Sequence, residues 1–148
     1  MNLGFVVIGR NEGQRLVDCL TSISRTGCPV VYVDSGSTDR SLANADGMGA
    51  EIVELDMATP FTAARARNAG MKALLAARPD LAFVHFIDGD CALSPMWLDK
   101  GYQFISSRPD VAIVCGRRQE RFPEASVYNR LCQREWTRPA GETAACGG

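Results

Sequence analysis

Asp88-Gly89-Asp90 offers the most definite chemistry in the chain. Two carboxylates separated by one glycine, at the end of an apolar run, can face one pocket once the chain turns, and the glycine lets a ligand approach the backbone. Like charges so placed resist joint ionisation. A divalent cation relieves that conflict and can then clamp a diphosphate. The same three residues also suit a plain solvated turn, because Asp and Gly are common turn formers. Two more acid-bearing loops follow other apolar runs: Gly9-Arg10-Asn11-Glu12 and Asp34-Ser35-Gly36-Ser37-Thr38-Asp39. Asp34 is placed to accept a hydrogen bond from a base ring N–H. Glu12 either accepts from ribose or base, or serves as a first-turn acid against a helix dipole. Arg65 and Asn68 share one face of a helical stretch while Arg67 points elsewhere. These side chains form a solvated basic face, or at least one arginine meets a nucleotide with its fork of donors.

What the chain lacks narrows the chemistry further. His85 is the single histidine, which argues against His-dependent triads and His-based metal sites, so a metal here must be held mainly by oxygen, as Mg²⁺ or Mn²⁺ is. The six cysteines are scattered without a CxxC pair and read as reduced core residues. Neither GxGxxG nor GxxxxGK[ST] occurs, so the dinucleotide and P-loop readings lack their phosphate cradles. His85 reads as a packed or edge residue, and Trp97 and Trp136 as packing. A formal net charge of −1 gives no electrostatic pull toward nucleic acid. The apolar run Leu3–Gly9 is far shorter than the roughly 20 residues of a transmembrane segment and has no signal-peptide character. Cytoplasmic residence is the default expectation.

The elements needed to present those loops are legible as alternating strands and helices, the pattern of a parallel α/β sheet. Strands are expected at Leu3–Gly9, Pro29–Asp34, Glu51–Leu55, Leu81–Ile87 and Val111–Cys115, the fourth being central because it is almost wholly apolar. Helices are expected at Glu12–Thr26, in a short stretch capped by Ser37, Thr38 or Asp39, at Thr62–Arg78, from Ser94-Pro95 through Ser106, and at Ser126–Trp136. Ligands of such sheets bind beyond the carboxyl ends of the strands. All three acidic loops leave from that edge. With 148 residues the chain suits one domain, and the uncapped ending Ala-Ala-Cys-Gly-Gly suggests that the domain is truncated at its C-terminus.

Four segments, in order over residues 3–90, resemble glycosyltransferase family 2: Val6-Val7-Ile8-Gly9-Arg10-Asn11-Glu12, Val33-Asp34-Ser35-Gly36-Ser37-Thr38-Asp39, Ala66-Arg67-Asn68-Ala69-Gly70 and Phe86-Ile87-Asp88-Gly89-Asp90. Ser35 replaces the second acid of the family's Asp-Asp-Gly loop, and Gly9-Arg10 replaces its usual Pro-Thr or Pro-Ala. The resemblance implies a GT-A fold, a Rossmann-like and mostly parallel sheet with helices on both faces. It implies that Asp34, Glu12 and the Gly9–Arg10 backbone contact base and ribose, that Arg67 helps hold the nucleotide, that Asp88 lies near ribose or metal, and that Asp90 ligates Mg²⁺ or Mn²⁺. It further implies transfer of a sugar from a nucleotide-diphosphate donor to a hydroxyl acceptor, usually with inversion. The family's catalytic base follows a Gly-Gly segment that Cys146-Gly147-Gly148 begins, so the base is expected beyond residue 148. Two alternatives stand beside this reading: a nucleotide-sugar-binding module without turnover, and a haloacid-dehalogenase-type phosphotransferase, whose strand also ends in DxD but near the chain start.

Overall fold

A computed structural model describes residues 1–137 and 139–143. Its first compact unit, Met1–Pro95, holds four strands, β1 (Leu3–Gly9), β2 (Val30–Asp34), β3 (Glu51–Glu54) and β4 (Phe83–Asp88), with helices α1 (Gln14–Ser24), α2 (Ser41–Gly47) and α3 (Ala63–Ala77). The strands form one all-parallel sheet in the order β3-β2-β1-β4. The chain therefore steps outward from β1 to β3, then crosses back to lay β4 on the other side of β1. Right-handed crossovers in these two directions put α1 and α2 on one face and α3 on the other. The direction of travel reverses between β1 and β4, which is the switch point where ligands of open α/β sheets bind.

The core follows from strand alternation. Val6, Ile8, Val31 and Val33 lie on one face and are buried against Ala66 and Leu74 of α3. Phe5, Val7 and Tyr32 point the other way and are wholly buried, as are Leu16, Cys19 and Ile23 of α1. Gly70 sets how closely α3 sits: a Cβ there would lie 2.4 Å from Val6 Cγ1 and 2.7 Å from Val33 Cγ2. Thr62 starts α3 as an N-cap, its side chain accepting from the Arg65 amide.

A second unit begins at Met96. It contains α4 (Trp97–Ser107) and α5 (Val127–Trp136). Trp97 packs beside Gly101 and Gly116, Ser126 caps α5 by accepting from the Asn129 amide, and Arg118 lies 4.9 Å over the Trp136 ring.

Several expectations are corrected. Val111–Cys115 forms no strand, and Ile113 stays 70% exposed; an apolar run makes a strand only where a neighbour takes up its backbone bonds. β4 is not central but ends the strand order, and Phe86 remains 40% exposed. The α4 N-cap is Met96, without a side-chain cap bond, in place of Ser94. α2 begins at Ser41, and Ser37 and Thr38 serve other purposes. Of the described cysteines Cys19 alone is fully buried, and none is in a disulfide. His85 does pack, its ring 5.1 Å from that of Phe5, and burial lowers its pKa. No described helix is long and apolar enough to cross a membrane.

Candidate functional site at the carboxyl edge of the sheet

Register brings the three acidic loops together. Gly9 stands opposite Asp34 across β1 and β2, and Ile8 opposite Asp88 across β1 and β4. Backbone bonds continue past the strands: Ser35 N donates to Gly9 O at 3.1 Å, and Gly89 N to Ile8 O at 2.8 Å. The first two loops are then laced by side chains. Asn11 N donates to Ser37 Oγ at 2.9 Å, Thr38 N to Asn11 Oδ1 at 2.7 Å, and Glu12 N and Gly13 N to Ser41 Oγ at 3.1 and 3.2 Å. Asn11 has φ 55°, a left-handed conformation that asparagine tolerates better than most residues. Ser37 and Ser41 thus secure the neighbouring loop.

Asp34 is 2% exposed. Its Oδ2 accepts from the amides of Gly36 and Ser37 at 2.9 and 2.7 Å, and its Oδ1 from the Tyr32 hydroxyl at 3.1 Å. Tyr32 is itself buried, and its hydroxyl also interacts with Ser37 and Ser41, so it lies beneath both loops. Burial, and then the charge of Asp34, raise its pKa. Gly9 leaves room for this arrangement: an added Cβ would come 2.9 Å from Glu12 Cγ and 3.4 Å from the Tyr32 ring.

Glu12 precedes α1, so it is not the first-turn acid of that helix. Its side chain is 16% exposed, with Arg15 Nη2 at 2.8 Å from Oε2. That oxygen is nevertheless buried without a hydrogen bond. The two facts agree if the guanidinium lies close but off the hydrogen-bond line, compensating charge without satisfying the lone pairs. Burial raises the Glu12 pKa; Arg15 opposes the rise, and the charges of Asp90 and Asp39 add to it.

At the β4 tip the carboxylates differ. Asp88 Oδ1 is paired with Arg67 Nη2 at 2.9 Å, both side chains about a third exposed, whereas Asp90 is exposed and accepts a weak bond from the Cys91 thiol. Gly89 is buried, and a Cβ there would meet Ile8 O at 3.2 Å and Glu12 Cγ at 3.3 Å. This glycine therefore lets β4 close against the β1 loop, a tighter duty than the ligand approach expected of it. Cys19 backs the tip, its thiol 3.8 Å from Asp88 O, and burial pushes that thiol's pKa up to about 12.

Residues 5–144 match the model of Glycosyl transferase family 2. The chain belongs to that family. Over 133 residues it is also 29% identical to a TPR repeat-containing protein of Synechococcus elongatus, covering 90% of this chain and 31% of that protein. The chain thus spans about a third of the length of the curated relative it matches. Family 2 membership supports a glycosyltransferase-like function in general and separates the chain from the haloacid-dehalogenase alternative. The all-parallel sheet flanked by helices agrees with the family's GT-A fold.

Of the two arginines that spacing alone left open, and between which the family resemblance chose Arg67, Arg67 pairs with Asp88. Arg65 instead donates to Thr59 O and Asp56 O, both at 2.9 Å, and holds the segment between β3 and α3. That segment carries Met57 over Gly36 and Phe61 beside Arg10. Neither residue was singled out from sequence, nor was Tyr32; an aromatic in a Pro-containing loop, or within an apolar strand, reads as packing. Among the described residues no three His, Cys, Asp or Glu side chains gather to enclose a metal. Two carboxylates suffice for Mg²⁺ or Mn²⁺ when water and phosphate fill the rest of the shell. Asp90 is exposed, while Glu12 and Asp88 are paired with Arg15 and Arg67, so the donor set at hand for such an ion is the carboxylates of Asp88 and Asp90. The segment expected to lead to the catalytic base, Cys146-Gly147-Gly148, lies outside the described residues.

Proposed function

We propose that this chain binds a nucleotide-diphosphate sugar at the carboxyl edge of the sheet, and that the protein to which it belongs transfers the sugar to a hydroxyl acceptor with inversion. The observation that carries this reading is the lacing of the loops after β1, β2 and β4 around the switch point. Glu12 and the Gly9–Arg10 backbone receive base and ribose. Asp34, which accepts from the Gly36 and Ser37 amides and the Tyr32 hydroxyl, fixes the loop that presents Gly36 and Ser37 and keeps one acceptor position on Oδ1 for the base edge. Arg67 shares its guanidinium between Asp88 and the phosphates, for which its fork of donors is suited. Asp88 and Asp90 would hold Mg²⁺ or Mn²⁺, whose charge, when bound, favours departure of the nucleoside diphosphate. The base that deprotonates the acceptor is assigned to none of the described residues. Donor capture without turnover is the narrower alternative.

A thermal-shift panel of nucleotide sugars with Mn²⁺ tests the reading. At a hundredfold excess over Kd, a ligand of the native state adds about 2.7 kcal/mol, or roughly 5–10 °C for a chain of this size. The shift should require Mn²⁺ and vanish in Asp90→Ala. Equal shifts with and without EDTA would refute the metal-assisted site.

A further inference from the structure

The segment between β3 and α3 is an ordered strap, not a slack connection. Leu55 N donates to Asp34 O at 3.0 Å at its start. Ala58 N donates to Asp56 Oδ1 at 2.9 Å, and Arg65 grips the carbonyls of Asp56 and Thr59 from α3. Thr62 then caps the helix. So anchored, the strap carries Phe61 to the β1 loop, where the Arg10 guanidinium lies 5.0 Å from its ring centroid. Phe61 is still 44% exposed. No packing requirement explains an apolar ring held in position by a cation and left open to solvent at the ligand-binding edge. A flat ring beside a planar guanidinium is the arrangement on which nucleic-acid bases stack.

We propose that Phe61, together with Arg10, is the stacking platform for the nucleobase of the donor. The inference rests on the nucleotide-sugar reading above and assigns it an affinity determinant. A platform of this kind meets the π-face common to all bases, so it strengthens binding of every nucleoside diphosphate and leaves discrimination to groups that meet the base edge. Arg65 is the positioning residue that holds the strap under the ring.

Calorimetric titration of the whole chain with UDP, GDP, ADP and inorganic pyrophosphate, each with Mn²⁺, tests this. Phe61→Ala should weaken the tightest nucleoside diphosphate about 5- to 150-fold, the equivalent of about 1–3 kcal/mol. Phe61→Trp should preserve or improve it, and pyrophosphate should bind all three forms alike. Unchanged nucleotide affinity in Phe61→Ala, or an equal loss for pyrophosphate, would overturn the platform. Failure of the unaltered chain to bind any nucleotide would instead overturn the donor-site reading, and the platform with it.

Discussion

Gly70→Ala sets two well-measured tendencies against each other. In the interior of an exposed helix, replacing glycine by alanine is favourable by about 1 kcal/mol, through backbone entropy. At Gly70 the new methyl would sit 2.4 Å from Val6 Cγ1 and 2.7 Å from Val33 Cγ2, where carbon atoms in contact prefer about 3.5–4.0 Å. Both valines are fully buried, and their branched side chains have few rotamers to retreat into. Relief must therefore come from α3 moving off the sheet by about 1 Å, opening gaps around Ala66 and Leu74. Overpacking of this kind costs about 1–3 kcal/mol, occasionally more, so the net effect is a destabilisation of up to about 2 kcal/mol. A urea titration followed by circular dichroism would read it as a lower midpoint at unchanged slope, or as a melting temperature lower by up to roughly 8 °C. Asn68→Ala, at an exposed position of the same helix, should be neutral or slightly stabilising and serves as the control. If Gly70→Ala raised stability as much as a surface replacement does, the close seating of α3 would be wrong.

Glu12→Gln should stabilise the chain at neutral pH. Burial raises the folded-state pKa of Glu12 above its ordinary 4.5, so the carboxylate is a liability that appears as pH climbs through the folded value and is absent below the unfolded one. The stability difference between variant and parent should accordingly shrink toward zero on acidification below about pH 4; a gain independent of pH would contradict the burial argument. Tyr32→Phe removes the hydroxyl from Asp34 Oδ1 and from the loops above it. A buried polar atom stripped of its partner costs about 1–3 kcal/mol, measurable by thermal denaturation, and an unchanged melting temperature would show that Asp34 does not depend on Tyr32.

The sheet and the meeting of its loops were readable because both depend on local pattern. Leu3–Gly9 and Val30–Asp34 are apolar runs that end in polar, turn-forming residues, and the helix between them shows Leu16, Cys19, Leu20 and Ile23 on one face. Such patterns report how much of a segment is covered, not what covers it. β4 therefore looked central although it has one strand neighbour among the described residues, and Val111–Cys115 looked like a strand although it has no ladder. At the site, residue types were visible but pairings were not. Asp34 reads the same in sequence whether or not, as here, one of its oxygens accepts from the amides of its own turn and the other from Tyr32. Arg65 and Arg67 could not be told apart by spacing alone, because their duties depend on where the strap and the β4 tip lie around α3.

That division of labour has a consequence for how the sheet edge can vary. Two arginines two residues apart leave a single rod in different directions, one bracing the shelf that bears Phe61 and the other bracing the acid at Asp88. The strap and the β4 tip thus share one foundation. A substitution that tilts the rod displaces both together, so the sheet edge is more easily altered through the exposed side chains of the shelf than by shifting the helix beneath it.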